Sequence, residues 1–288
     1  MTSAAPSLVE PATPARRRAP PTPWGTYGLR SAAALYLGVM VAVPIAMIAR
    51  SGLSLGVSAL ARALVHPVAL GALALTLETA VIMSVVNAVM GTLVAYVLVR
   101  YDFPGKKLLN LVIDLPFSIP TLVAGLMIVA LFGPDAALGR LSAAMGVRVL
   151  YAPPAIIVAL LFVTLPFVVR AVQPVLIEID VAEEEAAYTL GASEWGAFRR
   201  VVLPALAPAI VTGTLLSFAR ALGEFGSIVV VAGNLPRRTL TAAVFVFGEV
   251  ESGNYETASA MSLVLIGTSF GILLVVDAVQ RRRGAGRG

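Results

Sequence analysis

Long apolar runs separated by short polar segments dominate the pattern along this chain. A helix needs about 20 mainly apolar residues to cross roughly 30 Å of hydrocarbon, and six runs reach about that length. The runs are continuous and do not alternate with polar residues, which favours helices over the strands of a barrel. The sequence therefore predicts an all-α integral membrane protein whose six spans are Ser31–Ala49, Leu75–Val99, Leu108–Phe132, Ala155–Val172, Pro204–Val231 and Thr257–Val279.

The segments outside these runs predict the domain organisation. Residues 1–30 are rich in Pro, Ala and Arg and carry too little apolar surface to fold, so we expect a disordered tail. Residues 31–281 form a single predicted transmembrane domain that contains a polar loop at 178–203, and residues 282–288 form a short second tail. The first run is too long for a signal peptide and no clear small-x-small cleavage site follows it, so we expect it to be retained as a span.

Composition supports the membrane assignment and excludes several kinds of site. Apolar residues make up 58% of the 288 and charged residues 13%, whereas soluble domains carry about a quarter charged residues. The absence of cysteine excludes disulfides and thiolate metal sites, and the single histidine, His66 beside Pro67, is interpreted as a loop residue. No phosphate-binding Gly-rich motif and no metal-site cluster appears, so the sequence predicts no catalytic residue, no cofactor and no metal.

The distribution of Lys and Arg predicts the orientation of the chain. Six spans place both termini on one side, and the segments on that side hold 14 of the Lys and Arg residues against six in the opposite set. The larger set is cytoplasmic under the positive-inside rule. This distribution also argues that the net charge of +5 reflects membrane topology and that nucleic acid is not a partner. The larger set is Arg16, Arg17, Arg18, Arg30, Arg100, Lys106, Lys107, Arg170, Arg199, Arg200, Arg281, Arg282, Arg283 and Arg287, and the smaller is Arg50, Arg62, Arg140, Arg148, Arg237 and Arg238.

Prolines occur in pairs in three of the runs and predict kinks there. Each proline removes a helical hydrogen bond. The pairs are Pro116 and Pro120, Pro166 and Pro174, and Pro204 and Pro208.

The loop at 178–203 is a polar segment with an acidic start on the predicted cytoplasmic side. Acidic residues at the start of a helix complement its positive end, and the small residues that follow let a partner surface come close. Gly191 permits a left-handed turn, so the pattern predicts two short helices over residues 183–203 that dock on a partner. The alternative is a solvated helical hairpin with no partner. The residues concerned are Glu178, Asp180, Glu183, Glu184, Glu185, Ala186, Ala187, Leu190, Gly191, Ala192 and Trp195.

The fifth run carries polar residues at helical spacing. Ser217, Arg220, Glu224 and Ser227 are separated by steps of three, four and three, which predicts one helical stripe. Arg220 lies 16 residues after Pro204, so about 24 Å along a helix, and an arginine deep in a membrane should face protein or water. Two interpretations stay open: a structural ion pair with Glu224, or an anion path in which the arginine attracts a dianion and the carboxylate keeps it from binding too tightly.

Four stretches carry a resemblance to a known family. The sequence Glu185-Ala186-Ala187 with Gly191 and Leu203-Pro204 resembles the cytoplasmic EAA loop of ABC-importer permeases, with Val201 where the loop consensus has Ile. Residues Ser217–Ser227 resemble the fifth-span sequence of sulfate, molybdate and tungstate permeases. Residues Asp114–Thr121 and Leu165–Pro174 resemble the T-type (CysT) subunit of sulfate/thiosulfate permeases.

The resemblance implies a type I ABC-importer permease fold with six transmembrane helices in a bacterial-type plasma (inner) membrane. Such a subunit would form the path for sulfate or thiosulfate among membrane lipid and would not itself be an enzyme. It would pair with a second, homologous permease, two copies of an ATP-binding subunit and an extracytoplasmic sulfate-binding protein. The implied ATPase-coupling residues are Glu185, Ala186, Ala187, Gly191, Leu203 and Pro204, and the candidate path residues are Ser217, Arg220, Glu224 and Ser227.

Two other functions remain as alternatives. A molybdate or tungstate permease would share the architecture and work as a homodimer. A secondary transporter driven by an ion gradient would need intramembrane carboxylates, for which Glu78 and Glu224 are the candidates, but it gives no reason for the EAA-like loop.

Overall fold

The computed structural model describes residues 23–54, 56–58, 61 and 65–284, and none of these residues forms a strand. Most of the predicted N-terminal tail, residues 1–22, and residues 285–288 of the C-terminal tail lie outside the described residues. The chain divides between Met47 and Ile48 into two compact units, and each is described by itself. Five helices in the described part are long and apolar enough to cross a membrane, or six if one bent pair counts as a span.

The first apolar run forms one helical stretch. It consists of α1 (Pro23–Leu37), a π-helical turn (Gly38–Ala42) and α2 (Val43–Gly52). In the described residues this helix is present from Pro23, eight residues before the predicted start of the span.

Three further helices of the second unit correspond to predicted spans and extend beyond them. They are α3 (Pro67–Arg100), α7 (Pro153–Glu178) and α13 (Tyr255–Gly284). Both α3 and α7 start on a proline. His66 lies immediately before α3, at the loop position that the sequence suggested.

The third predicted span is not one helix, which corrects the sequence-based expectation. It consists of α4 (Lys106–Ser118) and α5 (Thr121–Phe132), bent by 117° at the break. Pro120 explains the position, because a residue before proline avoids the helical region, and Ile119 is extended with ψ 127°. A short helix, α6 (Ala137–Ala144), follows.

The fifth predicted span is also broken. Helix α8 (Val181–Thr189) precedes a continuous stretch of α9 (Glu194–Ala197), a π-helical turn (Phe198–Val202) and α10 (Leu203–Leu222). The chain leaves the helix at Gly223 and resumes as α11 (Gly226–Val231). The last short helix is α12 (Ala242–Glu251).

Helix α7 is the centre of the second unit and packs against both α3 and α10. Close approach is possible because glycines face Val168 of α7 from both sides. A Cβ on Gly91 of α3 would lie 2.7 Å from the Val168 side chain, and one on Gly213 of α10 would lie 2.8 Å from the Val168 Cα. Both distances are far below ordinary contact, so these positions admit only glycine without repacking.

Buried polar groups also connect these three helices. The amide of Asn87 in α3 donates to Thr164 Oγ1 in α7 at 2.7 Å, and the Ser217 hydroxyl in α10 donates to the Thr164 carbonyl at 3.2 Å. All three residues are buried. Side-chain hydrogen bonds of this kind hold helices together where lipid offers no alternative partner.

Candidate coupling surface and transmembrane polar site

Helix α8 carries the acidic start of the 178–203 segment. The Asp180 carboxylate accepts a hydrogen bond from the Ala182 backbone N–H at 3.0 Å and so caps the helix, which satisfies one of its free donors. Glu184 is the buried residue of this helix. Its carboxylate pairs with the guanidinium of Arg100, the last residue of α3.

Apart from the buried Glu184, most side chains of α8 and of the turn that follows it are exposed. Glu185 and Ala186 are exposed and Ala187 is half-buried. Leu190 at the end of α8 is 88% exposed, and Trp195 is 68% exposed. Small and large apolar side chains are thus exposed together along this segment.

Gly191 ends α8 in the conformation that the sequence predicted. Its φ is +84°, and a Cβ there would have no heavy atom within 4 Å. The requirement for glycine is therefore conformational and not a matter of space.

The second half of the segment differs from the prediction of two separate short helices. α9 is only four residues long and continues through the π-helical turn into α10, so the second helix is the beginning of a long one. Leu203 is half-buried and Pro204 is exposed at the start of α10. Pro204 has no backbone N–H to donate, so this continuous helical stretch lacks one hydrogen bond directly after the π-helical turn.

Aromatic residues attach this second half to α3. The rings of Trp195 and Phe198 are stacked with centroids 5.5 Å apart, and Phe198 meets Tyr96 of α3 edge-on at 5.4 Å.

An exposed ion pair follows the end of α3. Asp102 accepts a hydrogen bond from Lys106 at 2.8 Å, and this hydrogen bond lowers the pKa of the Asp102 carboxyl.

Three of the four predicted path residues meet at the break after α10. Arg220 and Glu224 form an ion pair at 2.8 Å, in which the arginine side chain is 35% exposed and the glutamate 1%. The second carboxylate oxygen of Glu224 accepts from the backbone N–H and the hydroxyl of Ser227, both at 2.9 Å. Glu224 thus connects the last turn of α10 to the first turn of α11.

The expected continuous stripe of Ser217, Arg220, Glu224 and Ser227 is wrong, because the helix ends at Leu222. Ser217 is buried and bonds to Thr164 on α7. It therefore belongs to the contact between helices and not to the charged group.

The breaks in the third and fifth predicted spans lie against each other. A Cβ on Gly226 would lie 2.2 Å from the Thr121 Oγ1 at the start of α5, and one on Gly125 would lie 2.7 Å from the Ser227 carbonyl oxygen. The starts of α5 and α11 are therefore in direct contact. The Arg220–Glu224 pair adjoins this contact through Ser227.

A second charged group, which the sequence reasoning did not single out as a site, joins α4 to α7. The Arg170 guanidinium forms two parallel hydrogen bonds with the Asp114 carboxylate, at 2.8 and 2.5 Å. It also donates to the side-chain and backbone oxygens of Asn110 and to Gln173. Five bonds satisfy all five donors of an arginine. Arg170 lies in α7, eight residues before the end of that helix at Glu178.

The sequence offered a signal for this group. A carboxylate at Asp114 and a guanidinium at Arg170 interrupt the third and fourth apolar runs, and charges in such runs are costly unless paired. Three residues from Asp114 and Arg170 respectively, Phe117 of α4 and Phe167 of α7 meet edge-on with ring centroids 5.2 Å apart.

In the part of the chain that the structure describes, no group of three or more His, Cys, Asp or Glu could hold a metal ion.

The family of this chain follows from comparison with known proteins. The family model described as "Binding-protein-dependent transport system inner membrane component" matches residues 87–284. The chain is 44% identical over 215 residues to the probable sulfate transport system permease protein cysT of Chlorokybus atmophyticus, covering 75% of each chain. It is 41% identical over 247 residues to the sulfate transport system permease protein CysT of Synechocystis, covering 86% of each, and 42% identical over 219 residues to that of Escherichia coli K12, covering 76% of this chain and 79% of the relative.

Solved structures agree on the fold. A chain of a bacterial alginate ABC transporter, crystallised with an alginate-bound periplasmic protein, superposes with a TM-score of 0.74 at 16% identity and covers 90% of this chain and 94% of its own. A chain of a methionine ABC transporter in an inward-facing conformation gives a TM-score of 0.58 at 20% identity, covering 76% and 95%. The all-helical, multi-pass fold is therefore that of ABC-importer permeases, and the chain belongs to the family of binding-protein-dependent transport system inner membrane components.

Proposed function

We propose that this chain is a permease subunit of an ATP-driven importer for sulfate or thiosulfate. The observation that carries the proposal is the 41% identity to a sulfate permease over 86% of both chains. The arrangement of charges at the helix breaks supports it. An importer for a small dianion needs a cationic group that is reachable from water and is not free to hold the anion permanently.

Arg220 has these two properties. Its side chain is about one-third exposed, and the buried Glu224 carboxylate lies 2.8 Å away. The exposed part of the guanidinium attracts the dianion, while the neighbouring carboxylate opposes it and weakens binding. Ser227 supplies neutral hydrogen-bonding groups at the same place, but its N–H and hydroxyl are taken up by Glu224 in this conformation. An anion that binds the N–H and hydroxyl of Ser227 therefore competes with the hydrogen bonds that these groups donate to Glu224.

The exposed surface of the 178–203 segment is the proposed contact for the ATPase. Glu185, Ala186 and Ala187 on α8 form it, and Gly191 sets the turn that follows. Leu203 and Pro204 mark where the segment enters α10, the helix that carries Arg220. Movement of this surface by the ATPase would thus displace α10, the helix that ends beside the Arg220–Glu224 pair. ATP hydrolysis itself belongs to the partner subunit.

The proposed assembly contains two non-identical permeases, two ATP-binding subunits and an extracytoplasmic binding protein that delivers the anion. The chain resides in the bacterial-type inner membrane with both termini in the cytoplasm. The excess of Lys and Arg in the segments on one side supports this orientation, and it remains when Arg170 is counted inside the membrane. Residues 31–281 act as one permease domain.

Uptake by cells that lack their own sulfate permease tests the proposal. Expression of the chain with its second permease, ATPase and binding protein should restore uptake of labelled sulfate, and excess thiosulfate should compete. Molybdate at the same concentration should not compete. Competition by molybdate alone, with a single permease species in the purified complex, would instead establish the molybdate or tungstate alternative.

A further inference from the structure

A largely buried ion pair joins helix α8 to helix α3. Glu184 lies between the exposed Glu183 and Glu185 and is the buried residue of this helix. Its carboxylate contacts the guanidinium of Arg100, and the two side chains are 8% and 15% exposed. The residues are 84 positions apart in the chain, so the pair joins two separate elements.

The placement of the two charges favours the pair. Arg100 is in the last turn of α3 and Glu184 in the first turn of α8, so each charge complements the dipole of its own helix. The Nε of Arg100 is buried without a hydrogen-bond partner. Glu184 is the charged partner of this largely buried guanidinium, so loss of the carboxylate would leave the charge unpaired.

Helix α3 is well suited to pass on a displacement. It runs unbroken for 34 residues, and Asn87 lies 13 residues before Arg100, about 20 Å along the helix. Asn87 bonds to Thr164, whose carbonyl accepts from Ser217 in α10, one turn before Arg220. The second half of the 178–203 segment also contacts α3, through Phe198 and Tyr96.

We propose that the Arg100–Glu184 ion pair transmits movement of α8 to α3, and through the Asn87–Thr164–Ser217 hydrogen bonds to the helix that carries Arg220. This inference rests on the proposed function of the chain as an ATP-coupled permease. Arg100 and Glu184 are positioning residues: they contact neither the anion nor ATP. The ion pair works as a strut because separating two largely buried opposite charges costs free energy, whereas the exposed face of α8 remains free for the ATPase.

The test uses the complete complex in proteoliposomes and measures sulfate transported per ATP hydrolysed. Glu184→Gln removes the charge and keeps the shape. It should lower that ratio about tenfold, the scale of a typical coupling between sites, while the complex still co-purifies and hydrolyses ATP. The exchange of both charges, Arg100→Glu with Glu184→Arg, restores the pair but opposes both helix dipoles, so it should recover part of the ratio. Lys106→Ala removes the exposed Lys106–Asp102 pair on the same side of the protein and should match wild type.

Each outcome decides between a strut and other roles. An unchanged ratio in Glu184→Gln would overturn the inference. Failure of that variant to assemble would also overturn it, since the pair would then be a folding brace. A wild-type complex that transports no sulfate would refute the proposed function instead. If the wild-type complex transports sulfate and Glu184→Gln transports as much per ATP, only the proposed role of the ion pair is refuted.

Discussion

The guanidinium of Arg220 and the carboxylate of Glu224 lie 2.8 Å apart where α10 ends. The pair is asymmetric: the arginine is partly open to its surroundings, and the glutamate is buried and holds Ser227 at the start of the next helix. In the proposed path the cation is therefore the member that an anion would meet, and the carboxylate is the member that bonds to Ser227 across the helix break.

Replacement of Arg220 separates these two roles. Arg220→Ala should reduce sulfate uptake at least tenfold, because it removes the cation from the proposed path, at a loss of about 1.4 kcal/mol or more of anion stabilisation. Glu224 keeps its bonds to Ser227, so the complex should still assemble and hydrolyse ATP. Uptake of labelled sulfate and co-purification measure the two effects.

The control is a double variant that keeps the helix break intact. Arg220→Met with Glu224→Gln removes both charges and leaves an amide oxygen for the Ser227 N–H and hydroxyl. If the pair were only structural, this variant should recover both assembly and transport. Recovery of sulfate uptake in the double variant would contradict the path assignment.

Gly191 is expected to matter through its backbone conformation. Its φ of +84° is costly for other residues, although no heavy atom lies within 4 Å of the place that a Cβ would occupy. A β-branched residue there costs at least ~1–2 kcal/mol, which should displace the segment after α8. Gly191→Val should therefore lower the sulfate transported per ATP, whereas Gly191→Asn, which tolerates positive φ, should stay near wild type. Equal ratios in the two variants would show that the turn is not needed.

The absence of native cysteine allows the orientation to be measured residue by residue. Single cysteines at Met145, Leu235 and Leu190 replace side chains that are 71%, 49% and 88% exposed. A membrane-impermeant maleimide should label the first two in intact spheroplasts and Leu190→Cys only in inverted vesicles. Labelling of Leu190→Cys from outside would overturn the topology and remove α8 from the side of the ATPase.

Two glycines at the centre of the second unit should be sensitive to added volume. Gly213→Ala places a methyl group 2.8 Å from the Val168 Cα, which forces backbone movement, and we expect a loss of ~1–3 kcal/mol. A Cβ on Gly91 would lie 2.7 Å from the Val168 Cβ and 2.8 Å from its Cγ1. Val168→Gly removes both atoms, so it should relieve the clash of Gly91→Ala but not that of Gly213→Ala, which meets the Val168 backbone.

Thermal unfolding of the purified complex measures these effects, and Gly267→Ala on α13 is the matched control. A Cβ at Gly267 has nothing within 4 Å, so the substitution should be neutral or slightly stabilising in a helix. Equal midpoints for Gly213→Ala and Gly267→Ala would contradict the tight packing of α10 on α7.

The class of fold was predictable because the bilayer dictates the length of a span. The positions of the helix breaks were less predictable from the sequence. Proline alone does not locate them: Pro120 stands at a break, but Pro166, Pro174 and Pro208 lie inside unbroken helices. The break after Leu222 depends on Glu224 capping α11, a contact that spacing on an assumed continuous helix does not show.

The site was predictable in part for a similar reason. The four-residue spacing of Arg220 and Glu224 gave their pairing, although Glu224 lies just beyond the end of α10 at Leu222. In the acidic run, however, the sequence does not fix which carboxylate faces inward, and the buried one is Glu184, not Glu185. The partners of Glu184 and Arg170 lie 84 and 56 residues away, so only the packing of the helices identifies them.

ATP-dependent sulfate uptake into proteoliposomes tests the central claim most directly. The vesicles contain the chain with its second permease and ATPase, and the binding protein is supplied on the outer face. The account predicts accumulation of labelled sulfate when ATP is enclosed on the cytoplasmic face, and none with an imposed proton or sodium gradient alone. Accumulation driven by the ion gradient without ATP would contradict it and would establish a secondary transporter.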